Sequence, residues 1–443
     1  MRASARRVGD IVEVTVERLG RDGDGIARVD GRPLFLPSTL PGERLRARIV
    51  EDHREWRRGV ALERLHSPPH PTPVCPHFGT CGGCRLQHLP ETVYREFRLA
   101  QVTEELTRRR LVFPPPQFVA VPPASRRRLR LAWQRDKGLR LGFRRLRGHA
   151  VVDVASCPVA RPELVGLFAP LRRFLSALAP AAKAGEALAT LLAQGVDLLL
   201  WLPGPVGPGE RERLARFAAE QDLARVAVAT PGGTPEPVVV RRPPELAFGL
   251  LRVPFPPGAF LQATVEGEAV LAAAVAKAVP AGARLVDLFA GLGALSLPIA
   301  HRLARLHLVE GDAAAVDAVR RAVRARGANR IEVEARDLQR RPLVARELDR
   351  FDAAILDPPR GGAAAQVAEI AASAVPILVY ASCNPATFAR DLATLVASGF
   401  RLEEIQVVDQ FLWSAEVELV ARLERRHAHA PSCRVRGEAA GCP

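Results

Sequence analysis

Apolar positions fall into two regimes along the chain. Between residues 8 and 65 they alternate with polar ones, as in Ile11-Val12-Glu13-Val14-Thr15-Val16, Leu34-Phe35-Leu36 and Leu45-Arg46-Ala47-Arg48-Ile49-Val50. Turn signals at Asp22-Gly23, Asp30-Gly31 and Pro41-Gly42 separate these runs. A period of two with such punctuation predicts a small OB-like β-barrel. From about residue 265 the pattern becomes strand–helix alternation, which predicts a doubly wound α/β sheet of the Rossmann-like kind. Between the two regimes, residues 66–76 are proline-rich and read as a linker, and residues 90–110 as an amphipathic helix. Residues 126–156 read as basic antiparallel strands, and residues 160–250 mix Ala/Leu-rich helices with strands at 196–200 and 226–228. The expected architecture is therefore multidomain: a barrel over 1–66, an α+β central domain over 67–250 and an α/β domain over 251–425. Residues 426–443 are polar and expected to form a disordered tail.

Charge sharpens this picture. Residues 1–150 hold 30 Lys/Arg against 16 Asp/Glu, a net of +14, whereas the remainder holds 33 against 32. A basic region confined to the first third of the chain is the footprint of a polyanion binder, because neutralised phosphates release counterions. Arg-favouring codon usage explains why only three of the 63 basic residues are Lys, but not the asymmetry. We expect a nucleic acid, RNA, as partner, no membrane, and infer no obligate protein partner. No apolar run reaches the roughly 18 residues a membrane span needs. The basic start, Met1-Arg2-Ala3-Ser4-Ala5-Arg6-Arg7, is followed by a charged strand pattern rather than an apolar core, so the expected location is cytoplasmic. Seven cysteines, an odd number, point to metal or catalytic use rather than a disulfide framework.

The chemistry concentrates in the α/β region. The apolar strand at 285–289 runs into Ala290-Gly291-Leu292-Gly293-Ala294, and residues 295–303 are expected to continue as a helix. A turn of this kind, Gly291 included, lets the backbone bend tightly beside a ligand at the carboxyl end of the first strand. The next strand, 306–309, ends in Glu310, placed to grip ribose hydroxyls. The full Gly-x-Gly-x-x-Gly fingerprint is missing because position 296 is Ser, which favours S-adenosylmethionine over NAD. A later strand ends in Asp357-Pro358-Pro359-Arg360, a stiff rim whose Asp would face the crevice. Strand 376–381 leads into Ser382-Cys383-Asn384-Pro385, and a helix follows. A helix N-terminus would lower the pKa of Cys383, although a buried structural cysteine is an equally good reading of the spacing. Glu416 and Glu418 are expected on one face of a strand, where pattern alone reads both as solvated.

Taken together, Asp357-Pro358-Pro359-Arg360, Ser382-Cys383-Asn384-Pro385-Ala386-Thr387-Phe388-Ala389-Arg390-Asp391 and Phe260-Leu261-Gln262 resemble the motifs of the RNA 5-methyluridine methyltransferase family, and the resemblance extends over nearly the whole chain. It implies an N-terminal TRAM barrel, a central RNA-binding domain and a class I methyltransferase domain. It also implies Cys383 as nucleophile on uracil carbon 6 and Glu418 as the base that removes the carbon-5 proton. Gln262, Phe289, Glu310, Asp337 and Asp357 correspond to the residues that hold S-adenosylmethionine. The chain departs from the family pattern at Ala294, where the family has Asn, and at Ala290, where it often has Cys. Residues 411–416 also differ, reading Phe-Leu-Trp-Ser-Ala-Glu in place of Phe-Pro-x-Thr-x-His.

Cys75, Cys81, Cys84 and Cys157 could hold zinc or an iron–sulfur cluster by ligand type alone. The resemblance implies a [4Fe–4S] cluster, since ribosomal-RNA members carry one on this spacing and transfer-RNA members lack it. Cys433 and Cys442 are given no function. The expected activity is therefore methylation of a uridine at carbon 5, with 23S ribosomal RNA as substrate. The alternatives are a transfer-RNA uridine-C5 enzyme, an exocyclic-nitrogen methyltransferase, and a non-catalytic RNA-binding iron–sulfur protein.

Overall fold

The computed structural model describes residues 7–177 and 183–425. The polar tail from 426, with Cys433 and Cys442, lies outside the described residues.

The alternating N-terminal region folds into six strands ordered Ile11–Thr15, Arg44–Asp52, Arg57–His66, Arg32–Leu36, Gly25–Val29 and Arg18–Leu19. Every second residue of Ile11–Thr15 and of Arg44–Ile49 is buried, so the period of two becomes an inner face built from Val12, Val14, Leu45, Ala47 and Ile49. A second, seven-stranded sheet runs between Arg128 and Val240, and the helices Phe168–Ala177 and Pro208–Glu220 contribute to its core.

The third sheet carries the site. Its strands are β1 (Arg284–Leu288), β2 (Arg305–Glu310), β3 (Ile331–Ala335), β4 (Ala353–Leu356), β5 (Ile377–Ser382), β6 (Phe400–Val408) and β7 (Glu418–Arg425). The spatial order is β3-β2-β1-β4-β5-β7-β6. β1 to β5 pair in parallel, while β7 runs antiparallel between β5 and β6. β1, β4 and β5 are buried on both faces, which is why they read as largely apolar runs, whereas the edge strand β3 alternates.

Two local expectations change. Residues 295–303 do not continue as an α-helix: a 3₁₀-helix spans Leu297–Arg302. Pro298 has no N–H to donate, and Ile299 and Leu303 donate to the carbonyls of Ser296 and Ala300, three residues back. The segment after the cysteine loop also leaves the central region. Helix Glu91–Arg108 packs Val102 and Leu106 into the core of the third sheet, and Gln117–Val119 extends that sheet in parallel beside β6. A three-residue strand is too short for periodicity to reveal.

Candidate active site

The carboxyl ends of the parallel strands and the start of β7 surround a cavity of about 550 Å³. Its walls include Gln262, Phe289, Gly291, Glu310, Asp357, Cys383 and Glu418, so side chains named from separate motifs converge on one space. Asp337 does not line it. This residue lies two positions beyond β3, half-exposed, with its carboxylate 3.5 Å from Arg340 and accepting the backbone N–H of Gln339.

The glycine turn is built for close approach. Phe289 and Gly291 have φ of 61° and 54°, and the Phe289 value is one that a bulky residue adopts only where its surroundings enforce it. Glu310 locks the turn by accepting the Gly291 N–H at 2.8 Å and the Asp312 N–H at 2.7 Å. Beneath it, Asp287 is buried and accepts a hydrogen bond from the Ser296 hydroxyl.

Strand register brings nucleophile and base together. Ser382 of β5 is opposite Leu419 of β7, so the next step of that antiparallel ladder sets Cys383 beside Glu418. Glu418 is buried, whereas Glu416 precedes the strand and is partly exposed. The two glutamates therefore do not share one strand face. Glu416 instead reaches Arg360 at 2.7 Å. Asn384 caps helix Pro385–Ala397 by accepting the Ala386 N–H, and its amide donates to the Arg360 carbonyl at 3.0 Å. This tethers the Asp-Pro-Pro-Arg rim to the cysteine's neighbour.

Sequence reasoning missed Gln410. Its amide donates to Glu418 at 3.0 Å and to the Gln262 carbonyl oxygen at 2.9 Å, and Gln262 in turn lies 3.4 Å from Asp357. A side-chain relay thus joins the base to the rim. Gln410 is buried, and its own side-chain oxygen, packed toward Gly267, has no hydrogen-bond partner.

The electrostatics reverse one expectation. The thiol of Cys383 is pushed up to about 11, not lowered. Burial is the main cause, followed by the charges of Glu418 and Asp357, which outweigh the opposing charge of Arg360. Burial also raises Asp287 to about 7, with Asp357 and Glu310 adding to the effect, and it raises Asp357 and Glu418. Several carboxylates held in a low-dielectric space suit a cationic ligand.

Cys383 also lines a second cavity, of about 380 Å³, between the barrel and helix Glu91–Arg108, with Arg18, Arg21, Arg108 and Glu416 on its walls. Cys75, Cys81, Cys84 and Cys157 all line a third, of about 370 Å³, which shares Phe411 with the first cavity and Glu416 with the second. Among the described residues no three His, Cys, Asp or Glu side chains are placed to ligate a single metal ion. No helix among them is long and apolar enough to cross a membrane.

Residues 5–62 match the TRAM domain, and residues 256–426 match the family described as tRNA (uracil-5-)-methyltransferase. A Brucella suis protein described as an uncharacterized RNA methyltransferase is 39% identical over 416 residues, covering 93% of this chain and 98% of its own. The 23S rRNA (uracil(1939)-C(5))-methyltransferase RlmD of Chromohalobacter salexigens is 35% identical over 445 residues, covering 96% and 92%. This chain belongs to the RNA uracil-5-methyltransferase family. Its fold matches the Pyrococcus abyssi tRNA (uracil-54, C5)-methyltransferase solved with S-adenosyl-L-homocysteine, at a TM-score of 0.72 and 22% identity, over 93% of this chain and all of that one. As a family member the enzyme acts on RNA and takes its methyl group from S-adenosylmethionine. The TRAM barrel and the class I methyltransferase sheet expected from sequence are both present.

Proposed function

We propose that this enzyme methylates carbon 5 of a uridine in 23S ribosomal RNA, in the cytoplasm, with Cys383 as nucleophile and Glu418 as base. The observation that carries the reading is that the two residues share one cavity while Cys383 also borders a second one edged by arginines. A thiol at that junction can meet a base arriving from the RNA side and a methyl donor from the other. Glu310, Asp357, Gln262, Phe289 and Gly291 would hold S-adenosylmethionine, and the buried carboxylates fit a ligand with cationic groups.

When bound, S-adenosylmethionine supplies an electrophilic methyl on a sulfonium. The Cys383 thiolate adds to carbon 6 of the uracil, and the resulting enolate makes carbon 5 nucleophilic toward that methyl. Glu418 then removes the carbon-5 proton, the carbon 5–carbon 6 double bond re-forms and the thiolate leaves. Gln410 donates to Glu418 and so favours its carboxylate form, the form the last step needs.

The RNA side is furnished with cations over rings. Arg126 lies over Phe411 and Arg128 over Phe260, each at 5.8 Å, while Arg130 lies over Trp201 at 4.7 Å. Phe260 is 66% exposed and lines the cofactor cavity. Such a row suits splayed bases next to a flipped uridine.

Methylation of a 23S transcript and of transfer RNA with labelled cofactor, followed by nucleoside analysis, tests this reading. Label in 5-methyluridine from the 23S transcript supports it. Label confined to transfer RNA would replace the substrate, and label on an exocyclic nitrogen would replace the chemistry. Cofactor affinity should tighten as pH rises from 6 to 8. Asp287, raised to about 7, is largely protonated at the lower end and anionic at the upper, where it favours a cation. Calorimetry in buffers of different ionisation enthalpy should show proton release. S-adenosylhomocysteine, lacking the sulfonium, should show a weaker pH dependence.

Cys75, Cys81, Cys84 and Cys157 are proposed to hold a [4Fe–4S] cluster. Burial pushes Cys84 up to about 12, with the charges of Cys157, Cys81 and Cys75 adding to it, and burial also raises Cys81 and Cys157. Thiols so placed are poor anions until a metal centre compensates them. Anaerobically purified protein should contain about four irons and four sulfides per chain, and Cys84→Ala should lose them. Stoichiometric zinc with no sulfide would rule the cluster out.

A further inference from the structure

The nine residues from Asp409 to Val417 link β6 to β7; they carry Gln410 and lead directly into the base, the first residue of β7. Within this loop the Ser414 N–H donates to the Phe411 carbonyl at 2.9 Å and the Glu416 N–H to the Ser414 hydroxyl at 3.1 Å. Trp413 sits at φ 57°, a left-handed conformation that a large aromatic residue does not hold unaided. Helix Glu91–Arg108 supplies further partners from outside the loop. Arg98, fully buried, donates to the Phe411 carbonyl at 2.9 Å and the Glu416 carbonyl at 2.7 Å, and pairs with Asp409 at 2.9 Å. Tyr94 donates from its hydroxyl to Asp409 at 2.7 Å and accepts the Trp413 N–H at 3.0 Å, while Gln101 donates to the Ala415 carbonyl at 2.8 Å. Arg85 and Leu86, directly after Cys84, donate their N–H groups to the Trp413 carbonyl at 2.7 and 3.0 Å.

One guanidinium thus reaches the start, the middle and the end of a single loop. A planar fork suits that task, and an ammonium does not reproduce it. We propose that Arg98, with Asp409 and Tyr94, is a positioning residue that sets the base: it fixes the loop so that Gln410 and Glu418 face the carbon-5 proton. Arg98 touches no substrate and acts only through the segment it grips. The contrast with Cys383 is the informative part. The nucleophile is held mainly by β5, which also pairs with the parallel strand β4, and by the Asn384 cap of the next helix; the loop reaches them only at its far end, through the β5–β7 ladder and the Glu416–Arg360 pair. Loosening the loop should therefore spare addition and methyl transfer and slow the proton removal that follows.

This inference rests on the roles assigned to Cys383 and Glu418 above, and the experiment separates the two. Full-length enzyme, RNA and cofactor are mixed, and the covalent protein–RNA adduct is counted on a denaturing gel beside kcat and KM. Glu418→Gln should accumulate the adduct, and its failure to do so would overturn the reading of the site rather than of Arg98. Given that control, Arg98→Lys and Tyr94→Phe should lower kcat by about tenfold to a hundredfold, as small misplacements of a catalytic group do. KM for RNA should stay within about threefold, and the steady-state adduct should rise. If Arg98→Lys does not fold, Tyr94→Phe, which removes one hydroxyl, decides. Folded variants with wild-type kcat, or with reduced kcat and no added adduct, would overturn the proposal.

Discussion

Cys383→Ala is expected to abolish methyl transfer, lowering the single-turnover rate by at least about 10⁴-fold, or roughly 5 kcal/mol of barrier at 1.36 kcal/mol per decade. Without addition at carbon 6, carbon 5 of uracil is too weak a nucleophile for a sulfonium methyl, and no other thiol lines the cavity. Cys383→Ser should fare little better, since an alcohol is far less acidic than a thiol. Cofactor affinity should change by less than about threefold, because Glu310, Asp357 and Gln262 remain. The pH dependence follows from the thiol's position near 11. At pH 7 only a fraction on the order of 10⁻⁴ is thiolate in the free enzyme, and that fraction rises tenfold per pH unit until the thiol has titrated. Alkylation of Cys383, followed by mass spectrometry of its peptide, should climb accordingly between pH 7 and 10. It should accelerate at fixed pH when S-adenosylmethionine is bound, because a positive charge nearby offsets Glu418 and Asp357. Glu416→Gln should act in the same direction, since the Glu416 charge also raises the thiol. Full activity in Cys383→Ala would remove covalent catalysis from this enzyme.

The chain shows its sheet more readily than its site. Periodicity reveals the strands and the barrel because burial alternates along Ile11–Thr15 and is continuous along β1 and β4. Cys383 and Asp357 are legible because each stands where a parallel strand ends, and such ends face one crevice in any doubly wound sheet. Asp337 fails the same logic: β3 stops at Ala335, and the carboxylate lies beside Arg340 instead of in the cavity. Gln410 and Arg98 leave no trace in local pattern. Gln410 meets Glu418 only because β6 and β7 form an antiparallel pair, and Arg98 is a buried cation 311 positions from its carboxylate partner. A strongly basic N-terminal third invites the reading that its arginines are solvated and face RNA. Arg98 shows that at least one is an internal clamp.

Glu418 should give the second large effect, and of a different kind. Glu418→Gln keeps volume and a carbonyl to accept from Gln410, but it cannot take a proton. Turnover should fall by about 10²- to 10⁴-fold, the usual range for a lost general base. The adduct should not fall with it: Cys383 still adds, carbon 5 is still methylated, and the reaction halts with RNA bound through the thioether. One methyl per active site should therefore appear in a burst, followed by little turnover, whereas Cys383→Ala gives no burst. Burial and the charge of Asp357 hold the Glu418 pKa well above the ordinary range of a glutamate, and this sets the sign of the pH effect. A raised pKa leaves the carboxyl protonated, and useless as a base, at acidic pH, and makes it competent as pH rises through that pKa. Adduct breakdown in the wild-type enzyme should therefore be slowest at acidic pH and speed up toward alkaline pH, while the Gln variant shows no such rise. A variant that turns over repeatedly, or that forms neither burst nor adduct, would mean that another group takes the proton or that Glu418 acts before the methyl moves.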